Sequence, residues 1–456
     1  MQVFNNTYFI LGLIGLAGVI FSVFLKSSKA VAFFLILLPA FNLARKSFNS
    51  DIGLIPSFET IGAFILLAII IFRRLSGMEK PPPRSRGVRQ IGIFLAMVFF
   101  MFAVCSSIIS NHSILSLQIL LAGGVVPIIC YYITLVSVKT FDDIYNISFG
   151  VIGMAIVAGS HSLLNLFNRL GQIGSGLGSQ AYEWMYGGNP VVNVFGPPSA
   201  GVAAIISALA LIFWYWKYGK KYKIQVLIVG IGACLVMFLF SFSRGAWLSS
   251  ILTVFGCVWV LFRNRKIQFV LLTLTALIII FATGFQKIVM PILESRLSKN
   301  PISSSDRHIT GRAYHSILAI KSGVKYPIVG TGLGSYSDMF KKYPAEKIPY
   351  AWFAHNLIPT LVTEIGLMGA MAFALFYLLH IIYAFRWKYS GDKENEMGKA
   401  IGIGLLGFMT VASTSGCHLV NGLSPINYFC APHMIVIFIL MGVVASGYTI
   451  SKHSLS

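Results

Sequence analysis

The stretch LIPTLVTEIGLMGAMAFALFYLLHIIYAF, residues 357–385, decides the fold class of this chain. It contains one carboxylate and one histidine among residues that are otherwise uncharged and mostly apolar. A helix of about 20 predominantly apolar residues crosses the roughly 30 Å hydrocarbon core of a bilayer. The stretch therefore predicts a transmembrane helix.

Runs of the same kind recur along the whole chain. Of its 456 residues, 56% are hydrophobic and 11% are charged, which is unlike a soluble globular protein. The alternating pattern of a membrane β-barrel is not seen, so an all-α polytopic membrane protein is predicted, with about 12–13 transmembrane helices. The predicted spans are 8–25, 30–45, 57–72, 91–109, 114–138, 147–167, 199–216, 224–242, 246–262, 267–285, 357–385, 400–417 and 428–448.

Positive charge is concentrated in short connectors between these spans. Loops rich in Lys and Arg stay in the cytoplasm, so these connectors are predicted to share the cytoplasmic side. They are Arg73–Arg89, Lys217–Lys223, Arg263–Lys266 and Arg386–Lys399. This assignment accounts for the net charge of +21 without nucleic-acid binding. The N-terminus is expected outside if both early spans cross the membrane, and inside if one of them does not.

Residues 286–356 form a long loop that this topology places on the outer side. It holds ten Lys and Arg against four Asp and Glu, which indicates attraction to lipid head groups or to an anionic substrate. Within it, Ala313, Ile317, Ile320 and Val324 make an apolar stripe at helical spacing, expected to lie on the membrane or on the helix bundle. The chain is accordingly divided into an N-terminal bundle (1–285), this loop (286–356) and C-terminal helices (357–456).

Three basic residues lie where the outer loops meet the spans. Arg244 occupies a tight connection between two apolar runs, and Arg312 lies in the amphipathic helix. Either arginine could contact lipid head groups or water, and the two together could clamp a pyrophosphate, because guanidinium groups bind phosphate oxygens in pairs. His355 could be an ordinary interfacial residue or a general base, since its usual pKa near 6.5 suits proton removal.

Further sequence features limit the chemistry. The acids of the outer loop are scattered singly, so no metal site and no cofactor is expected. The turn GTGLG at 330–334 has no P-loop lysine and follows no βαβ strand, which argues against nucleotide binding. Arg307 and His308 form a second basic pair that could replace Arg312 as the phosphate ligand.

The motifs SRGAWL (243–248), GRAY (311–314), PIVGTGLGSY (327–336) and HNLIPTLVTEIGLMG (355–369) occur in an order that resembles the bacterial O-antigen ligase and O-antigen polymerase superfamily. The resemblance implies a glycosyltransferase of the GT-C type in the bacterial inner membrane, with its active site facing the periplasm or exterior. It also implies a glycan donor linked to undecaprenyl pyrophosphate, and a glycan or lipid A-core as acceptor.

Carried over by motif, Arg244 and Arg312 would bind the pyrophosphate and stabilise the leaving group, and His355 would be the general base. The resemblance implies metal-independent transfer with inversion at the anomeric carbon. A tryptophan that often follows the loop arginine in this superfamily is replaced here by Tyr314 and His315. The alternatives are a flippase or transporter for a lipid-linked oligosaccharide, and a peptidoglycan-type polymerase, which would need a catalytic acid such as Asp306 or Asp338.

Overall fold

The fold was analysed in a computed structural model of the chain. The structure describes residues 2–44, 57–79, 81, 87–170, 198–219, 222–241, 243–262, 305–342, 356–389, 391–414 and 432–453. These residues form α-helices with short connections, and no strand occurs among them.

The helices are α1 (Gln2–Phe21), α2 (Ser27–Ala44), α3 (Phe58–Leu75), α4 (Val88–Ile109), α5 (Ser113–Ile119), α6 (Val126–Ser137), α7 (Phe141–Leu170), α8 (Pro198–Tyr218), α9 (Lys223–Phe240), α10 (Arg244–Leu261), α11 (Ser305–Lys325), α12 (Tyr336–Lys342), α13 (Leu357–Phe385), α14 (Asp392–Thr414) and α15 (Pro432–His453). A 3₁₀ turn (Ser22–Phe24) follows α1, and a π-helical segment (Leu120–Val125) joins α5 to α6.

The predicted spans agree with these helices. Twelve of the thirteen fall on helices of the described chain, with α5 and α6 forming one span, and the thirteenth, 267–285, lies outside it. In the part that the structure describes, nine helices are long and apolar enough to cross a membrane, and two shorter apolar helices lie at Phe9–Phe24 and Gly245–Leu261. The all-α polytopic membrane fold is therefore confirmed.

Small residues set the closest helix contacts. A Cβ atom on Gly150 of α7 would lie 2.6 Å from the Ala32 Cα of α2, and one on Gly159 would lie 2.5 Å from the Ala233 Cα of α9. In apolar lipid the hydrophobic effect does little to drive helix association, so van der Waals contact between closely packed backbones contributes more. The C-terminal helices join the same bundle, because α13 packs on α4, α14 on α8 and α10, and α15 on α6.

The described residues of three basic connectors, Arg73–Arg89, Lys217–Lys223 and Arg386–Lys399, lie at one end of the bundle, which we call the basic end. Glu79 accepts hydrogen bonds there from the Ser27 backbone N–H at 2.9 Å, from Arg73 Nε at 3.0 Å and from Lys139 Nζ at 2.8 Å. Burial alone raises the pKa of Glu79, but the hydrogen bonds from Lys139 and Ser27 outweigh it and lower the pKa to about 2. Glu79 is therefore ionised at neutral pH and joins three separate connectors.

Two further ion pairs extend this end. Lys26 Nζ lies 2.6 Å from Asp143 Oδ1, and Lys217 Nζ lies 2.6 Å from Glu396 Oε2. Lys26 belongs to the short link between α1 and α2, so that link also lies at the basic end. Both early helices are present, and the N-terminus of α1 consequently points to the opposite end, as expected if both cross the membrane.

The opposite end carries described parts of two predicted outer segments, the turn near residue 112 and the helix α12. His112, in the turn between α4 and α5, has its Nε2 atom 2.6 Å from Asp338 Oδ2 on α12. Lys341 Nζ lies 3.6 Å from the other oxygen of this carboxylate. The turn near residue 112 and the segment that contains α12 thus lie together, as the topology predicted.

A break in α13 is the main departure from the predicted spans. The sequence predicts one uninterrupted helix over 357–385, but Gly366 has φ 79° and ψ 168°, a conformation essentially restricted to glycine. The backbone groups around the break therefore lose their usual helical partners. The carbonyl of Thr363 accepts instead from Thr331 N–H at 2.8 Å, the carbonyl of Glu364 accepts from Gly332 N–H at 3.2 Å, and Met368 N–H donates to the Pro327 carbonyl at 3.1 Å.

The turn GTGLG, residues 330–334, supplies two of these three partners. Gly330, Gly332 and Gly334 all have positive φ angles. A Cβ on Gly330 would lie 2.5 Å from the Glu364 carbonyl oxygen. The same turn reaches α4, where Ser110 Oγ donates to the Leu333 carbonyl at 2.9 Å. The motif therefore provides hydrogen-bond partners for the backbone groups at the break in α13. Its glycines allow the positive φ angles and the close backbone approach that this contact needs.

Replacing Gly366 by alanine should destabilise the protein by at least about 2 kcal/mol, because the φ angle is strained for any L-residue and the new Cβ would lie 2.8 Å from Gly330 N. The melting temperature in detergent measures this. The control is Gly232→Ala on α9, where a Cβ meets nothing within 4 Å. A Gly366→Ala protein that melts with the Gly232→Ala control would contradict the break.

Candidate functional site

Arg244 is the first residue of α10, directly after a tight turn. The preceding helix α9 ends at Phe240, so the short connection predicted from the sequence is confirmed. Ser243 caps α10, with its side chain accepting a hydrogen bond from Ala246 N–H at 3.4 Å. For Arg244 the structure describes the backbone, which places the residue in the first turn of a helix that has no acidic residue there.

The N-terminal ends of helices carry partial positive charge from the aligned peptide dipoles. An arginine in that turn, without an acid beside it in the same turn, adds charge of the same sign. The position is therefore favourable for an anion and unfavourable for the arginine alone.

The helix α11 spans Ser305–Lys325 and contains four of the predicted site residues. Arg307 and His308 lie in its first turn, Arg312 lies in the middle, and Tyr314 follows. The structure describes the backbone of residues 305–313 and the side chains from Tyr314 onward. The predicted helix over Gly311–Lys325 is thus confirmed and starts two turns earlier.

The helix α11 approaches α13 most closely at small residues. Thr363 Oγ1 on α13 donates a hydrogen bond to the Ala319 carbonyl at 2.9 Å. A Cβ on Gly323 would lie 2.3 Å from the Val362 carbonyl oxygen, so the two helices touch through their backbones. Arg312 precedes these two α11 residues by seven and eleven positions, about two and three helical turns, and is therefore in register with the face that packs on α13.

The predicted apolar stripe lies on another face of α11. Ile317, Ile320 and Val324 are 52%, 47% and 62% exposed, so the stripe does not pack on the bundle. The prediction that the stripe packs on the bundle is therefore wrong for these three residues. At Gly323 the backbones of α11 and α13 come together, which leaves no room for large side chains between them. Exposed isoleucine and valine beside Lys321 and Lys325 are typical of a helix lying on a membrane surface.

A second contact holds α11 to α12. The Nδ1 atom of His315 lies 2.9 Å from the hydroxyl oxygen of Tyr336, and both side chains are buried. The Tyr336 hydroxyl also donates a hydrogen bond to the His315 carbonyl at 3.2 Å, and burial raises the pKa of this tyrosine. A cavity of about 380 Å³ lies beside this contact. It is lined by Tyr314, Ile317, Leu318, Lys321, Ser322, Lys325 and Met339.

The start of α13 carries the remaining candidate. His355 lies outside the residues that the structure describes, and Asn356 directly after it forms the N-cap position of α13. The carbonyl of Asn356 accepts a hydrogen bond from Thr360 Oγ1 at 2.8 Å. The α11 helix contacts α13 at Val362 and Thr363, within about two turns of the start of α13.

Four predicted site residues, Arg307, His308, Arg312 and Tyr314, share the helix α11, which packs on α13. Arg244 begins α10, which packs on α8 and α14. Sequence reasoning missed the Thr363 bond, the break at Gly366 and the pairing of His112 with Asp338. A glycine in a long span and a glycine-dense turn were the available signals for the break. No group of three or more potential metal ligands occurs among the described residues.

The fold and the candidate site define a multi-pass membrane protein with a helical segment docked on one end of its bundle. Residues 229–374 of the chain match the family model of O-antigen ligase. This range includes all four motifs, so the resemblance to the O-antigen ligase and polymerase superfamily is confirmed. The match indicates a function of the O-antigen ligase or polymerase type. No curated protein gives a match.

The orientation of α11 can be tested by cysteine labelling. A membrane-impermeant maleimide added to spheroplasts should label Lys321→Cys, which is exposed at the predicted outer end, and should spare Ala319→Cys, which is fully buried. Wild-type protein gives the background from the natural cysteines. Equal labelling of the two variants would contradict the packing of α11, and labelling of Lys321→Cys only after permeabilisation would contradict the topology.

Proposed function

We propose that this protein transfers a glycan from undecaprenyl pyrophosphate to an acceptor hydroxyl. The reaction takes place at the end of the bundle that carries α11 and α12, facing the periplasm or exterior of the bacterial inner membrane. The acceptor is another glycan for a polymerase, or lipid A-core for a ligase. The proposal is supported by the match of residues 229–374 to the O-antigen ligase family model and by the register of Arg312 with the face of α11 that packs against α13.

In this proposal the two arginines hold the donor. Arg312 and Arg244 bind pyrophosphate oxygens through paired N–H donors, which a guanidinium offers and an ammonium does not. The position of Arg244 at a helix N-terminus supports this role, because an anion there is attracted by both the side chain and the helix dipole. Arg307 and His308, one to two turns earlier on α11, are secondary candidates for the same phosphate.

The bond changes are as follows. The acceptor oxygen attacks the anomeric carbon from the face opposite the pyrophosphate, and the bond from that carbon to the phosphate oxygen breaks. Both electrons of the broken bond leave with undecaprenyl pyrophosphate, whose added charge the arginines stabilise. His355 takes the proton of the acceptor hydroxyl. The anomeric carbon is inverted, and the proposal requires neither a metal ion nor a covalent enzyme intermediate.

The second part of the proposal concerns how the site is held. Thr363 and the GTGLG turn fix α11 and the first half of α13 to each other, and His112 fixes α12 through Asp338. A misplacement of about 1 Å is enough to reduce catalysis strongly, so rigid support matters for the reacting groups. The peptidoglycan-type alternative would need a catalytic acid such as Asp306 or Asp338. In this proposal Asp338 instead positions α12, because its Oδ2 atom lies 2.6 Å from His112 Nε2.

Arg244→Lys should reduce glycan transfer roughly tenfold or more, because lysine keeps the charge and loses the paired hydrogen bonds to phosphate. Transfer is measured in isolated membranes with saturating lipid-linked donor. The matched control is Arg386→Lys, an exposed arginine at the basic end, which should keep wild-type activity. Equal activity of the two variants would show that Arg244 contacts lipid head groups and not the donor.

A further inference from the structure

A second cavity opens at the basic end of the bundle, far along the helices from α11. It has a volume of about 530 Å³, within the roughly 300–1,000 Å³ of ordinary ligand sites. It lies between α2 and α7, and Tyr215 of α8 and Tyr222, directly before α9, also line it. Lys29, Phe33, Ile36, Asn146 and Phe149 are among its other lining residues.

The lining changes from polar to apolar along the bundle. On α2, Lys29 lies at the basic end, and Phe33 and Ile36 follow on the same face, so the wall becomes apolar over about 10 Å of helix. On α7, the side chains of Asn146 and Phe149 repeat this order. A cationic mouth above an apolar channel matches a molecule with an anionic head and a hydrocarbon tail.

Lys29 is the cation at this mouth. It is exposed and forms no ion pair with a described residue, whereas Lys26, Lys139 and Lys217 at the same end are paired with acids. Asp142 is exposed one turn before Asn146 on α7 and is not part of the lining. The charge that faces the cavity from its own walls is therefore positive.

Tyr222 supplies an independent observation. Its φ angle is 53°, which makes it the one non-glycine residue with positive φ in the part of the chain that the structure describes. A large residue in this region of the backbone map is strained by about 1–2 kcal/mol. The side chain is 70% exposed and lines the cavity, so the strained turn holds an aromatic hydroxyl over the cationic mouth. Strain of this kind is typical of positions that serve a ligand.

We propose that this cavity binds one anionic phospholipid from the leaflet at the basic end. The lipid phosphate lies between the Lys29 ammonium, the Tyr222 hydroxyl and the Asn146 amide, each of which can donate a hydrogen bond. One acyl chain lies along Ile36 and Phe149. The site is separate from the proposed glycan-transfer site and does not depend on it.

The head-group part of the proposal is tested with purified full-length protein and spin-labelled lipids. Phosphatidylglycerol should bind more tightly than phosphatidylcholine, and Lys29→Gln should weaken phosphatidylglycerol binding about fivefold, the factor given by about 1 kcal/mol per charge. Lys29→Arg should retain binding. The control is Lys388→Gln, an exposed lysine at the same end outside the cavity, which should bind as the wild type does. Equal binding by Lys29→Gln and Lys388→Gln would overturn the proposal.

The strained turn gives a second test that separates binding from folding. Tyr222→Gly removes the ring and relieves the positive φ, so it should leave the melting temperature unchanged or raise it while weakening phosphatidylglycerol binding at least threefold. Asp142→Asn should not weaken binding, since it removes a negative charge near the mouth. Unchanged lipid affinity in Tyr222→Gly, with an intact fold, would contradict the role of the tyrosine.

Discussion

The outer end of this protein depends on one contact, between the interrupted helix α13 and the turn that packs into its break. Inside a membrane protein, every backbone N–H and C=O group needs a partner, and an irregular backbone is tolerated where protein surrounds it. At Gly366, three backbone hydrogen bonds from residues 327–332 replace those that an intact helix would make. The break thus creates donors and acceptors that bind the GTGLG turn in one position.

This contact has consequences for the helices on either side. The turn follows α11 in the chain, so fixing the turn also fixes the end of α11 against α13, and Gly323 allows the close approach. The serines of α4 join the same contact, with Ser106 Oγ donating to the Glu364 carbonyl at 2.5 Å. One helix break therefore links α4, α11, α12 and α13, and it orients the helix that carries Arg312. The proposed chemistry uses this rigidity.

Features that depend on composition, such as the membrane spans, could be predicted from the sequence. Features that depend on local backbone geometry, such as the break in α13, could not. Spans were predictable because crossing a bilayer requires a long apolar run, and the shared basic end was predictable because Lys and Arg mark one side. The break at Gly366 was not predicted, since glycine is common in membrane helices and does not usually interrupt them. The packing face of α11 was also missed, because Ala319 and Gly323 make it by their small size. The motif residues Arg244, Arg312 and His355 came from order and resemblance, and their roles stay predictions.

The most direct test of the account is glycan transfer by the purified protein in proteoliposomes that contain a labelled undecaprenyl-pyrophosphate-linked glycan, with and without lipid A-core. Wild-type protein should form new glycosidic bonds and release undecaprenyl pyrophosphate, by lengthening the glycan or by transferring it to the core. His355→Ala should form them at least about a hundredfold more slowly, the usual contribution of a general base. Movement of the labelled lipid across the bilayer without new bonds would contradict the account and indicate a flippase. Retention of most of the transfer rate by His355→Ala would contradict the proposed chemistry.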